Sequence, residues 1–383
     1  MLTRSTVALL LALVPVSARQ APAPESYALP VVQAAPALSD SAFAALSARI
    51  SEAGGYFDSD NLISNESSYL HVLGAMRKLG VSGGAYVGVG PDQNFSYMAR
   101  IRPRIAFIID IRRDNLLQHL LFKSLFEMAR TRVEYLALLT GRAMPNEANS
   151  SSKRTIAEIV EMIEKAPPDP DQFETTRQIV RTKIKRYGIP LTPAELETIS
   201  RIHQAFFEAG LELRFTSLGR APRPYYPTLR SLLLEHDLTG KQLSYLASED
   251  DYQFLKSLES RNLVIPVVGN LAGDHALREI GKVMTERGEK LSALYASNVE
   301  FYLMREGTFD TFAATVRTLP HDNRSVIIRS YFGGGFYGSH PQSVPGYFST
   351  QLLQTVDTFA SESAKGGYAT YMDLVSKHNL PLK

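Results

Sequence analysis

Two glycines and a carboxylate stand where a nucleoside could be held. Gly88 and Gly90 follow the apolar run Ala85-Tyr86-Val87, and Asp110 closes the next such run, Ile105-Ala106-Phe107-Ile108-Ile109. Glycine after a buried strand allows a sharp turn with close backbone approach to a ligand, and a carboxylate ending the neighbouring strand is placed to accept hydrogen bonds from a ribose diol. Asp92, Gln93 and Asn94 continue the turn, and with Arg112 and Asn270 they complete the expected cofactor contacts. The third glycine of a dinucleotide fingerprint is missing, because Pro91 and Asp92 follow at once, so the spacing does not predict a pyrophosphate on a helix N-terminus. A plainer reading uses the same residues: the glycines make a tight turn and Asp110 caps the helix after it.

Other candidates lie at the ends of later runs. Arg112 and Arg113 offer planar forks of donors suited to a carboxylate or phosphate, or they pair with Asp114. His119 and Lys123 are four apart, hence on one helix face, and could serve proton transfer and anion binding; they could equally be surface positions. Asn298 and Glu300 follow the run at 291–296, where an amide and a carboxylate could position a substrate amine or hydroxyl, or where Glu300 could simply favour the helix dipole. Asn298, Glu300 and His119 are therefore the candidate catalytic groups. The eight histidines are scattered, and neither HExxH nor a calcium-type carboxylate cluster occurs, so no metal site is expected. His321-Asp322 reads as a loop. A GxSxG elbow is absent, and Gly333-Gly334-Gly335 lacks the lysine of a P-loop.

The elements that must position these groups follow from hydrophobic periodicity. The short apolar runs predict strands buried on both faces of a parallel sheet, at 85–87, 105–109, 263–268, 291–296 and 325–328. Pro266 inside the third run removes a ladder donor and points to an edge or a bulge. Helices are predicted from Asp40 towards Gly54-Gly55, up to Gly80, after Asn115 with Leu117, Leu121, Leu125 and Met128 along one face, and over 274–287 with Asp274 as cap and Gly288 as stop. A polar, proline-containing stretch over about 143–223, with helices at 153–165, 173–186 and 193–209, reads as a helical insertion or lid. Fold class is thus α/β: a Rossmann-like, mostly parallel sheet flanked by helices, with a helical insertion.

At its start the chain carries Arg4, an apolar stretch from Val7 to Val16 and small residues at Val16-Ser17-Ala18, the pattern of a secretory signal over 1–18. An Ala/Pro-rich spacer over 19–39 follows, and the folded domain is expected over 40–383. Export to the periplasm or medium is the implied destination, without stable membrane insertion after cleavage. With 41 basic against 39 acidic residues, net charge +2, there is no field to draw the chain onto nucleic acid, so a small-molecule ligand is the expected partner. The oligomeric state is open. Cysteine is absent, which excludes disulfides and thiolate metal sites.

Five stretches carry a resemblance: GGYFDSDNLISNE (54–66), GGAYVGVGPDQNFSY (83–97), IAFIIDIRRDNLLQHLLFK (105–123), NLVIPVVGNLAG (262–273) and SALYASNVEFYL (292–303). In them the chain resembles a functionally uncharacterised bacterial family with a fold like that of class I S-adenosylmethionine-dependent methyltransferases. The resemblance implies that fold and a crevice for S-adenosylmethionine at Gly88, Gly90 and Asp110; Asn270 stands where the family has an acidic residue. Two functions are then expected to compete: a methyltransferase-like protein binding a nucleoside cofactor, and an exported non-catalytic protein using the same crevice for a nucleoside or anion. A nucleotide hydrolase acting through Glu300 or His119 is a third.

Overall fold

The computed structural model describes residues 35–145, 153–219, 221, 223–333 and 338–383. The expected signal segment, most of the spacer, and Gly334 and Gly335 lie outside them. Six strands form: β1 (Ala85–Gly88), β2 (Ile105–Asp110), β3 (Val264–Val268), β4 (Leu291–Ser297), β5 (Val326–Phe332) and β6 (Ser349–Thr355). They make one sheet in the order β3-β2-β1-β4-β5-β6. All neighbours are parallel except β5 and β6. Nearly every strand residue is buried, so helices must cover both faces, which is why the strands read as unbroken apolar runs. The result is an α/β fold with a mostly parallel, helix-flanked sheet, consistent with a Rossmann-like arrangement.

Before β1 come α1 (Asp40–Ile50) and α2 (Leu73–Leu79), and α3 (Gln93–Ile101) joins β1 to β2. Between β2 and β3 the chain forms α4 (Arg113–Met128), α5 (Arg132–Thr140), α6 (Ile156–Lys165), α7 (Pro170–Arg186), α8 (Pro193–Ala209), α9 (Leu229–Leu233) and α10 (Glu249–Ser260). Then α11 (Ala276–Glu286), α12 (Val299–Arg305) and α13 (Phe309–Thr318) alternate with the later strands, and α14 (Val356–Ala364) and α15 (Tyr371–Ser376) end the chain.

One detail follows the expected pattern and two depart from it. Pro266 is accommodated because β3 is the sheet edge and α1 packs against it, with Ser47 Oγ donating to the Pro266 carbonyl at 2.6 Å. Asp274 does not cap α11; the N-cap is His275, and Glu52 takes over, accepting from the amide of Ala276 at 3.3 Å and of Asn270 at 2.7 Å. Finally, β6 has no apolar signature, since Gln351 and Gln354 face buried polar partners rather than a hydrophobic layer.

Helix α4 was expected to show one apolar face, yet it is buried all round from Asn115 to Phe126, because α7, α8 and α10 pack over it. The inserted helices thus belong to the core as much as to any lid. Lys123 is consequently interior: it pairs with Glu127 at 3.3 Å and donates to the backbone carbonyl of Glu259. The Glu259 carboxyl has no hydrogen-bond partner, and burial pushes its pKa up to about 8. Folded chains keep this proton from pH 4.5 to about 8 while unfolded chains release it, so the contribution to stability, complete below 4.5, is lost as pH rises through 8. Glu259→Gln abolishes that dependence. Urea midpoints of the variant and parent are expected to coincide in acid, to diverge in the variant's favour as pH rises from 4.5 to about 8, and to keep a constant difference above that.

Candidate functional site

The carboxyl ends of β1 to β4 open into a cavity of about 220 Å³ at the point where the strand order reverses. In open α/β sheets this is where ligands sit, because the loops leaving adjacent strands diverge to opposite faces. Each strand contributes: Val89 and Gly90 beyond β1, Asp110 and Arg112 at β2, Gly269 and Asn270 at β3, Ser297 and Asn298 at β4. The remaining wall comes from the loop Tyr56 to Glu66, from Phe215 and Tyr226, and from α12.

Strands β1 and β2 are adjacent in parallel register, with Gly88 beside Ile108, so the glycine bend and Asp110 do share one rim. Within the bend the two glycines do different work. A Cβ on Gly88 would overlap Asn94 Oδ1 and the Tyr86 ring, whereas Gly90 has φ +82° and open space beside it, the nearest atoms being 3.7 Å from a hypothetical Cβ. Gly88 is therefore glycine for the sake of Asn94, and Gly90 for its left-handed backbone. Asn94 donates to the carbonyls of Val89 (2.9 Å) and Pro91 (2.7 Å) and accepts from Tyr86 at 2.7 Å, so it shapes the bend from behind and does not line the cavity. Asp92 also lies off the cavity, buried beneath Tyr245, whose hydroxyl donates to it at 3.2 Å; burial raises its pKa to about 6. Gly88→Ala is expected to displace Asn94 and cost about 1–3 kcal/mol as an overpacked site. Gly90→Ala, limited to backbone strain, is expected to cost about 1 kcal/mol. Chemical denaturation of both variants orders the two.

Four of the five guanidinium N–H donors of Arg112 are engaged by the protein itself. Its Nε and Nη2 donate to Asp110 at 3.2 and 3.0 Å, and Nη1 to the carbonyls of Ser59 (3.2 Å) and Asp60 (2.9 Å). Asp110 also accepts from the Arg112 amide at 2.8 Å, but it does not cap α4, whose N-cap is Arg112 itself without a side-chain cap hydrogen bond, because the carboxylate is two residues too early to reach the first-turn amides. Arg113 pairs with Glu195 at 2.7 Å and lines a neighbouring groove. Neither arginine pairs with Asp114.

Two catalytic candidates are elsewhere. His119 packs behind the bend, with Nε2 3.0 Å from the Gly90 carbonyl, and burial lowers its pKa to about 4. Glu300 is 1% exposed and forms a two-pronged pair with the equally buried Arg329 at 2.6 and 3.1 Å, far from any solvent. Asn298 and Asn270 do line the cavity, Asn270 with its Oδ1 turned to the Ala272 amide at 2.9 Å. Of the expected cofactor contacts, Gly90, Gln93, Asp110, Arg112 and Asn270 meet there; Gly88, Asp92 and Asn94 stand behind.

The groups that periodicity missed come from the irregular stretch after α1. Asp58, Asn61, Asn65 and Glu66 present carbonyl and carboxylate oxygens, and Phe57 meets Tyr302 edge to face at 5.1 Å. A segment from 51 to 68 without a helix or an extended strand is long for a compact domain, and such loops tend to be functional; that was the available signal. Ser297 was missed as well: it has φ +52° at a register shift that ends β4, a conformation that turns its Oγ onto Glu66. Four carboxylates line the cavity against one guanidinium, already committed to Asp110.

Residues 62–371, which include every strand and the rim, match the family model described as a domain of unknown function, DUF7790. The chain belongs to the DUF7790 family. The resemblance to an uncharacterised family is thereby established for DUF7790, while the methyltransferase part of it stays a matter of proposal. No curated protein matches the chain. In this DUF7790 protein no group of three metal-ligating side chains occurs, and no helix is long and apolar enough to cross a membrane, among the described residues.

Proposed function

We propose that this DUF7790 protein binds a nucleoside cofactor of the S-adenosylmethionine type and is methyltransferase-like. The observation that carries the reading is the cavity at the reversal of strand order, where the Gly90 bend and the Asp110 carboxylate share a rim. The residues suit such a ligand. Asp110 would accept from the ribose hydroxyls, since its Oδ2 receives only Arg112 Nη2 and keeps a lone pair. The backbone of the Gly88–Gly90 turn would meet the amino-acid end, and the rings of Phe57, Tyr226 and Tyr302 offer apolar faces. Excess carboxylate favours a net cation. When bound, S-adenosylmethionine supplies an electrophilic methyl group; the chain's part is to align a nucleophile near Ser297 and Asn298 and to exclude water.

One observation favours the quieter alternative, a non-catalytic nucleoside-binding protein: His119, expected for proton transfer, and Glu300, expected to position a substrate, are locked in structural contacts. An anion ligand is not favoured, because Arg112 and Arg113 already hold carboxylates. A hydrolase acting through Glu300 or His119 has no support in this geometry. Export, expected from residues 1–18, would require S-adenosylmethionine to reach the protein outside the cytosol.

Thermal melting of the full chain with S-adenosylmethionine, S-adenosylhomocysteine, adenosine and inorganic phosphate tests the reading. A ligand at one hundred times its Kd should add about 2.7 kcal/mol to stability. Stabilisation by the two sulfur nucleosides above adenosine supports the cofactor reading, equal effects of all three nucleosides support the binding protein, and a response to phosphate alone overturns both.

A further inference from the structure

The cavity wall holds a charge with no counter-charge. Glu66 lines the cavity yet is only 1% exposed, and its carboxylate accepts from Ser297 Oγ and from Gln351 Nε2 at 2.7 Å. Both donors are neutral, and among the described residues no lysine, arginine or histidine pairs with Glu66. A buried carboxylate is ordinarily paired, because neutral hydrogen bonds replace only part of its hydration.

A second acceptor waits beside it. Gln93, 5% exposed, lines the same cavity and donates its Nε2 to the Tyr295 hydroxyl at 2.9 Å, leaving Oε1 buried without a partner. The Tyr295 hydroxyl also faces Glu66. Its single proton goes to the carboxylate, which can only accept, so Gln93 must present its amide nitrogen to Tyr295 and its oxygen elsewhere. Two acceptors, one of them charged, therefore gather around Tyr295 with nothing of the chain donating to the amide oxygen. A primary ammonium offers three donors and one positive charge, which is what they lack.

We propose that Glu66 and Gln93, with Ser297 and Tyr295 holding them in place, form a subsite for a primary ammonium group carried by the substrate. The ammonium belongs to the substrate rather than to the nucleoside because of where the strands put it. Asp110 and Asn270 end β2 and β3 on one side of the reversal point, whereas the groups that hold Glu66 come from β4 and β6 on the other. The location beside the reacting end of a cofactor rests on the proposed function; the amine selectivity itself does not.

Calorimetric titration of the full chain with primary alkylamines and the matching alcohols, with and without saturating S-adenosylhomocysteine or 5′-methylthioadenosine, decides the matter. The amines are expected to bind and the alcohols not to, with affinity undiminished by either nucleoside. Glu66→Gln is expected to weaken amine binding at least tenfold, and Gln93→Leu, which leaves the carboxylate in place, several-fold; unchanged melting temperatures establish that both remain folded. Equal binding of amines and alcohols, or no effect of either substitution, overturns the subsite. Exclusion of amines by S-adenosylhomocysteine but not by 5′-methylthioadenosine overturns the assignment to substrate, since the ammonium is then the nucleoside's own. Amine binding lost in Glu66→Gln with no response to any nucleoside keeps the subsite and removes the cofactor reading.

Discussion

Glu300→Ala is expected to lower the stability of the chain by about 3–5 kcal/mol, enough to unfold a marginal domain, because it strands the Arg329 guanidinium in the interior. Both side chains are 1% exposed, and Arg329 keeps only the Gln354 Oε1 at 3.0 Å and the face of the Phe359 ring at 5.9 Å, neither of them charged, among the described residues. Gln354 in turn donates to Tyr368 at 2.8 Å, so the network spans β5, β6 and the loop before α15 and cannot relax by turning one rotamer. The double variant Glu300→Leu, Arg329→Met removes both charges and is expected to recover most of the loss, since two buried apolar side chains need no counter-ion. Guanidinium midpoints of the three chains give the comparison. Ligand affinity of the double variant separates structural from chemical roles: if Glu300 positioned a substrate, the refolded double variant would bind none, whereas the interior pairing requires that it binds as the parent does.

The second large effect concerns Arg112→Met, expected to destabilise by about 3–5 kcal/mol and to abolish nucleoside binding together. Arg112 joins the Asp110 carboxylate to the carbonyls of Ser59 and Asp60, neighbouring residues on the loop that walls the cavity. The pair is 9% exposed on each side, so its loss leaves a poorly solvated carboxylate on the rim and removes one tie between that rim and the loop that carries Asp58 and Glu66. Arg113→Met is the control. Its partner Glu195 and its own side chain are 21% and 35% exposed, which limits the expected change to about 1 kcal/mol or less, with binding intact. A stable Arg112→Met chain that had lost only anion binding would instead restore the view of Arg112 as a ligand clamp. Denaturation and titration of the two variants under one buffer distinguish these outcomes.

Five of the six strands, and the side-by-side placement of the Gly88 bend and Asp110, were legible because parallel strands buried on both faces leave unbroken apolar runs that no exposed element imitates. The sixth, β6, was not, since its inward residues are glutamines that satisfy Arg329 and Glu66 instead of filling a hydrophobic layer. His119 and Lys123 misled for a related reason. Their spacing on one face of α4 is a fact of the helix, but whether that face meets solvent, ligand or protein depended on α7, α8 and α10, which fold over it from as far as 140 residues along the chain. Arg112, Glu300 and Asp92 likewise have the chemistry expected of a site, and two of the three lie elsewhere because long-range partners claimed them.

What the amino-acid order determined alone is local: strands from continuous hydrophobicity, helix stops at Gly80 and Gly288, a bend at Gly90 from its lack of a Cβ, and a carboxylate one strand away. What only tertiary structure decided is which charged groups are already neutralised. Ion pairs and hydrogen bonds join residues separated by tens to hundreds of positions, as Glu66 to Gln351 and Glu300 to Arg329 do, and their formation rests on packing that periodicity does not encode. The candidate site is what remains after those pairings: a cavity whose carboxylates outnumber the cations given to them.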